Sequence, residues 1–141
     1  MSPGRPTAPR IDEAALARIV EQVLPEGQGV WLFGSFADGT ARQDSDLDVA
    51  ILAPARLTAE DRWERSAALS TRLPRSLDLV DLRTAPPALR FEIFSRGRRI
   101  AARDPLACDR FETTAISQDQ RQNVERRESM AAIAARGTVH R

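Results

Sequence analysis

Apolar and polar positions follow two different periods along this chain. From Ile11, the residues Ile11, Ala15, Leu16, Ile19, Val20, Val23 and Leu24 keep the i, i+3, i+4 spacing of a helix that buries one face, and Pro25-Glu26-Gly27 ends it. Val30-Trp31-Leu32-Phe33 is instead a continuous apolar run that stops at Gly34-Ser35, the mark of a buried strand with an exposed end. Ser45-Asp46-Leu47-Asp48-Val49-Ala50-Ile51-Leu52 predicts a second strand that carries two aspartates, with a turn between the two strands. After Pro54, Thr58-Ala59-Glu60-Asp61 is a capping sequence for a helix to about Leu73, with Ala67 and Leu69-Ser70 partly inward and Trp63 expected in the core. Pro74-Arg75-Ser76 leads into a third strand, Leu77-Asp78-Leu79-Val80-Asp81-Leu82. Pro86-Pro87 suits a helix start, the helix runs through Leu89, Phe91, Ile93 and Phe94 to Gly97, and Arg98 to Ala102 makes a short edge strand.

Beyond Asp104-Pro105 the apolar period fades. To about Arg136 the chain is rich in Arg, Glu, Gln and Ala, which favours a helix polar nearly all round. Part of Phe111, Ile116, Val124, Met130 and Ile133 is then expected to lie uncovered and to meet a partner. The expected organisation is a disordered arm over residues 1–10, one domain over 11–103, and a helical extension and tail over 104–141.

The chemistry concentrates where the first two strands meet. Period two puts Asp46 and Asp48 on one face, with Cα atoms roughly 6.5 Å apart. Two ionised carboxylates beside Leu47, Val49 and Ile51 repel each other unless a cation joins them, and oxygen-only ligands suit Mg²⁺ or Mn²⁺ rather than Zn²⁺. Gly34 allows close backbone approach, and Ser35 is placed to cap the turn that follows, so its hydroxyl and the nearby N–H groups offer a pocket for phosphate. In the third strand Asp78 and Asp81 are three residues apart and face opposite sides, so only one can join this site. A phosphate cradle and a divalent-metal site one strand apart describe a nucleoside triphosphate site.

Gly34-Ser35, ten residues, then Asp46-Leu47-Asp48 resembles the signature of the DNA polymerase β-like nucleotidyltransferases. With Leu77-Asp78-Leu79-Val80-Asp81-Leu82 and Ala85-Pro86-Pro87-Ala88-Leu89-Arg90 added, the chain looks more narrowly like the minimal nucleotidyltransferases (MNT) that pair with HEPN toxins. The resemblance implies an α+β fold, a small mixed sheet flanked by helices. It also implies ATP as substrate near Gly34, Ser35 and Ser45, with Arg42 a further candidate contact. Asp46 and Asp48 would hold Mg²⁺ or Mn²⁺, and Asp78 would be the third carboxylate, with Asp81 as the alternative. The implied function is transfer of AMP to a tyrosine of a partner HEPN ribonuclease toxin, which neutralises it. Two other readings stay open: transfer to a small-molecule hydroxyl, and an antitoxin that acts by binding alone. The chain has no tyrosine and so cannot be its own acceptor of that kind.

Composition narrows the picture further. With 141 residues and 42% hydrophobic content the chain allows one domain with a real core. A net charge of +1 argues against a general nucleic-acid binder. All 21 basic residues are arginine, so no lysine exists for a Walker-type phosphate contact or a Schiff base. No run of eighteen apolar residues suggests a membrane span, and the lone Cys108 agrees with a reducing compartment, so the expectation is cytoplasmic. His140, the only histidine, lies one residue from the end and is not expected to take part in chemistry.

Overall fold

The computed structural model describes residues 9–118 and 121. Its centre is a four-stranded sheet in the order β3-β2-β1-β4, built from β1 (Gly29–Phe33), β2 (Leu47–Leu52), β3 (Leu77–Asp81) and β4 (Arg98–Ala102). β1 runs antiparallel to both β2 and β4, and β2 runs parallel to β3, so the sheet is mixed as expected. Every residue of β1 is buried, which explains why its sequence is an unbroken apolar run.

Residue parity sends the strand side chains into two separate cores. Val30, Leu32, Val49, Ile51 and Leu79 point to one face, where α1 (Glu13–Val23) contributes Leu16 and Val20 and α3 (Ala59–Arg72) contributes Leu69. Trp31, Phe33, Ala50 and Leu52 point to the other, where Ile93 of α4 (Pro87–Arg96) and Cys108 of α5 (105–118) complete the packing. A fifth helical segment, α2 (Ser35–Asp38), is a single turn between β1 and β2.

Local chemistry fixes the helix ends. Asp12 caps α1, its Oδ1 accepting from the Ala15 N–H at 3.1 Å, and Thr58 caps α3 by accepting from the Asp61 N–H at 3.0 Å. Pro87 begins α4, and Gly97 ends it where a Cβ would meet the Ile93 carbonyl at 2.5 Å and the Leu32 carbonyl at 2.8 Å. No described helix is long and apolar enough to cross a membrane.

Three expectations need correction. Trp63 is not in the core: it is 73% exposed, because the inward stripe of α3 runs through Ser66, Leu69 and Ser70, and Trp63 lies about 120° around the helix from Leu69. Ala67 is exposed for the same reason. The helix after Asp104 is also not polar all round within 105–118. Cys108 and Ala115 are buried, Phe111 meets Phe94 edge-on at 6.2 Å, and the Trp31 indole N–H donates to Glu112 Oε1 at 2.8 Å. Those turns share the second core with the rest of the domain. Val124, Met130, Ile133 and His140 lie outside the described residues, as do residues 1–8 of the expected arm.

Candidate functional site

The end of β1 turns sharply at Gly34, whose φ of 72° and ψ of −152° are open essentially to glycine alone. Space makes the same demand, since a Cβ there would stand 2.2 Å from Asp48 Oδ2. Gly34, not Ser35, takes the capping position of α2, which corrects the expected capping role: Ser35 is the first helical residue and its side chain makes no cap. Its hydroxyl has no hydrogen-bond partner among the described residues and is free to donate. The Ala37 and Asp38 N–H groups donate to the Gly34 carbonyl at 3.0 and 3.1 Å, and the Ser35 and Phe36 N–H groups precede the first such bond. Gly39, with φ 82°, ends the helix, and Asp38 accepts from the Thr40 N–H and hydroxyl at 3.0 and 2.5 Å.

The loop into β2 is held from two sides. Ser45 Oγ accepts from the Arg42 N–H at 2.7 Å, so this hydroxyl closes a turn. Arg75 donates to the Gln43 and Ser45 carbonyls at 3.1 and 3.0 Å while its guanidinium lies 4.8 Å from the Phe36 ring centre. Arg75 thus ties the loop carrying the first aspartate to the helix beside the cradle. Nothing in the sequence marked it for this.

Strand register then gathers the acids. Asp48 is paired with Phe33 across β1 and with Asp78 across β3. Asp46 lies just before the start of β2, and its charge acts on Asp48 from there. Asp48 is half-buried, whereas Asp46 and Asp78 are exposed. Burial, and then the charges of Asp78, Asp46 and Glu92, push the Asp48 carboxyl up from 3.8 to about 6. Glu92, on α4, is a fourth acid that the sequence analysis missed. It carries no motif, and only the packing of α4 over β1 brings it near.

Asp81 lies on the other side of the sheet, 2% exposed. Its Oδ2 accepts from the Leu57 N–H at 2.7 Å and its Oδ1 from the Arg83 N–H at 3.0 Å, so it shapes the turns after β2 and β3. Of the two acids in β3, only Asp78 stands beside Asp48.

None of Asp46, Asp48 and Asp78 forms an ion pair among the described residues. Nor do any three His, Cys, Asp or Glu side chains there already converge into a metal cage. The carboxylates form an open row with uncompensated charge. An all-oxygen row of this kind fits a hard divalent cation, which would offset the burial and the neighbouring charges that raise Asp48.

Comparison with known proteins points the same way. The family model described as polymerase beta, nucleotidyltransferase, matches residues 16–106. The protein adenylyltransferase MntA of Shewanella oneidensis is 33% identical over 91 residues, 64% of this chain and 66% of that protein, a little under two thirds of its length. A crystal structure of a toxin-antitoxin with AMP-PNP contains a chain similar to this one at a TM-score of 0.76 and 29% identity, covering 88% of this chain and 99% of that one. A structure of tri-AMPylated Shewanella oneidensis HEPN toxin in complex with MNT antitoxin is similar at a TM-score of 0.69 and 27% identity, covering 86% and 95%.

Proposed function

This chain belongs to the polymerase beta nucleotidyltransferase family, and from that premise we propose that it is a minimal-nucleotidyltransferase antitoxin, acting in the cytoplasm, that transfers AMP from ATP to a tyrosine of a partner HEPN toxin. The similarity to the Shewanella oneidensis adenylyltransferase, and to structures holding an AMPylated toxin or AMP-PNP, supports the acceptor and the nucleotide. The observation that carries the reading is the placement of half-buried Asp48, pressed against Gly34 and flanked in register by Asp78.

In this reading Gly34 lets the triphosphate approach the backbone, and the Ser35 hydroxyl donates to a phosphate oxygen. Asp46 and Asp48 hold Mg²⁺ or Mn²⁺, with Asp78 as the third carboxylate. When bound, the cation neutralises charge on the triphosphate and on the departing pyrophosphate. The tyrosine oxygen attacks the α-phosphorus, forming the new O–P bond as the bond to the bridging oxygen breaks and pyrophosphate leaves with the electron pair. The phenol proton passes to Asp78 and on to water. Ser45 and Arg42 act one step away by closing the loop that carries Asp46. The added AMP brings a negative phosphate to a surface built to receive RNA, so repulsion and bulk together silence the toxin.

Mass spectrometry of a HEPN toxin incubated with this protein, ATP and Mg²⁺ tests the reading. The expected product is a tyrosine carrying AMP, absent when Asp48→Asn replaces the wild type. Neutralisation of the toxin by Asp48→Asn with no adduct would establish binding alone as the mechanism, and transfer only to small hydroxyl compounds would move the acceptor to that class.

A further inference from the structure

A groove of about 270 Å³ lies between the start of α1 and the connection from α3 to β3, with Ile11, Ala15, Ile19, Leu47 and Leu73 as its apolar lining. It opens on the face of the sheet that carries α1 and α3, the face opposite Asp48 and Asp78 by strand parity. An apolar groove on a small domain names no ligand by itself. Its rim does, because three arginines, Arg10, Arg72 and Arg75, stand around it and none of them forms an ion pair among the described residues. The acid on the rim, Asp12, already accepts from the Ala15 N–H at 3.1 Å as the cap of α1.

Arg75 joins this groove to the loop before β2. Its Nη1 donates to the Gln43 and Ser45 carbonyls at 3.1 and 3.0 Å and its guanidinium lies 4.8 Å from the Phe36 ring centre, while its Nε and Nη2 donate to nothing among the described residues. Arg72 donates through Nη2 to Gln22 Oε1. A guanidinium has five N–H donors in a planar fork, so both arginines keep donors for an anion seated between them. Residues 1–8 carry Arg5 and no acid, so that segment cannot supply the anion.

We propose that the groove binds a small amphipathic monocarboxylate, its short acyl or aryl body lying on Ile11, Ala15, Ile19 and Leu73 and its head group accepting from Arg72 and Arg75, and that this ligand steadies the loop that carries Asp46. Size sets the body, since the volume falls just below the roughly 300–1,000 Å³ of most small-molecule sites and suits one short chain or ring. Charge sets the head. A carboxylate matches the guanidinium fork, and the Asp12 carboxylate on the rim repels a dianion such as a phosphate monoester more than it repels a monoanion. A head group held by Nε and Nη2 of Arg75 leaves the Nη1 bonds to Gln43 and Ser45 in place and restrains the guanidinium that makes them. The ligand therefore acts on the Asp46 loop from behind, without entering the row of acids.

Titration calorimetry of the full-length protein with octanoate, and in parallel with 1-octanol, tests the site. Octanoate is expected to bind about tenfold or more tightly than the alcohol, which has the same body and no charge. Arg72→Ala is expected to weaken octanoate about tenfold, and Ala15→Phe, which fills the groove, to abolish its binding; Arg72 is exposed, so that variant is expected to melt as the wild type does. Amide hydrogen exchange reads the loop: the Ser45 and Leu47 N–H groups, which donate to the Arg42 and Ser76 carbonyls at 3.0 and 2.9 Å, are expected to exchange several-fold more slowly at saturating octanoate in the wild type and at an unchanged rate in Arg75→Ala. No binding of octanoate, or equal binding of 1-octanol, overturns the site. Octanoate bound as tightly by Arg72→Ala as by the wild type places it elsewhere and equally overturns the proposal. Binding with unchanged exchange at Ser45 and Leu47 overturns the hold on the loop. All of these measurements are made without ATP or toxin, so their failure leaves the proposed function standing, and a failure of AMP transfer leaves the groove standing.

Discussion

Two ends of the same sheet treat acidic residues in opposite ways. Around β4, Arg98 pairs with Glu13 at 2.6 Å, Arg99 with Asp109 and Glu112 at 2.9 and 3.2 Å, and Arg103 with Glu21 at 3.1 Å. At the ends of β2 and β3, Asp46, Asp48 and Asp78 stand together with Glu92 nearby and no arginine paired to the three aspartates among the described residues. Composition does not explain the difference, since the chain carries 21 basic and 20 acidic residues. The charge imbalance is local. A fold that can pair its acids and leaves one row unpaired stores repulsion where a cation can release it.

The strongest way to break the comparison is to remove the central acid. Asp48→Asn is expected to cut AMP transfer by about 10²–10³-fold or more, a loss typical of removing a group that stabilises developing charge. Transfer at wild-type rate would mean that the row is not the active centre. Next in size is Gly34→Ala. The left-handed backbone and the 2.2 Å approach to Asp48 Oδ2 together should cost on the order of 2–3 kcal/mol in denaturant melts. Much of that cost should vanish when Asp48→Ala is added, because the carboxylate is what the new Cβ strikes. Full additivity of the two changes would show that backbone strain alone makes Gly34 necessary.

How much of this was legible depended on whether a feature is set by spacing or by packing. Spacing alone separated Asp78 from Asp81 and marked Thr58 as a cap, because strand parity and capping act within a few residues. Packing decided the rest. Trp63 went outward because the inward stripe of α3 is set by its seating on β3, and no local rule fixes that phase. Cys108 and Ala115 carry too little apolar bulk to signal a buried face, yet they seat α5 against Trp31 and Phe94. Arg75 and Glu92 reach the site from elements distant in sequence, and neither lies in a motif. The one-turn helix α2 was read as part of a turn, since four residues hold no periodicity.

The sign of the charge effect on stability gives a finer test. Asp48 titrates near 6 in the fold and near 3.8 when unfolded, so below about pH 4 both states hold the proton and there is no penalty. Between pH 4 and 6 the unfolded chain ionises first, and the metal-free protein should lose on the order of 1 kcal/mol, since solvent on the open side screens much of the repulsion. Asp38 has a lowered pKa from its bonds to Thr40, so it loses its stabilising share only as pH falls below 3.8, outside this window. Melting curves from pH 4 to 7 should therefore fall for the wild type and flatten for Asp48→Asn, and Mg²⁺ should restore more stability at pH 7 than at pH 5. A flat wild-type profile would mean that neither burial nor the neighbouring acids disfavour the ionised Asp48.

The smallest effect sharpens the contrast most, because its sign should be reversed. Arg98 bridges three elements: its Nη2 meets Glu13 of α1 at 2.6 Å and its Nη1 donates to the Ala37 carbonyl of α2 at 2.9 Å. The pair is about half exposed, with side chains at 48% and 39%, and exposed pairs of this kind contribute little beyond about 0.5 kcal/mol once ordering and screening are counted. Glu13→Gln should therefore lower stability at pH 7 by a few tenths of a kcal/mol, an amount that high salt erases. Asp48→Asn, an equal change of one acid to its amide, should raise the stability of the metal-free protein instead. Opposite signs from chemically identical substitutions are expected only if one acid is partnered and the other waits for a cation. If both lower the stability, the row at β2 and β3 is held by contacts that offset its charge, and the distinction between the two ends of the sheet disappears.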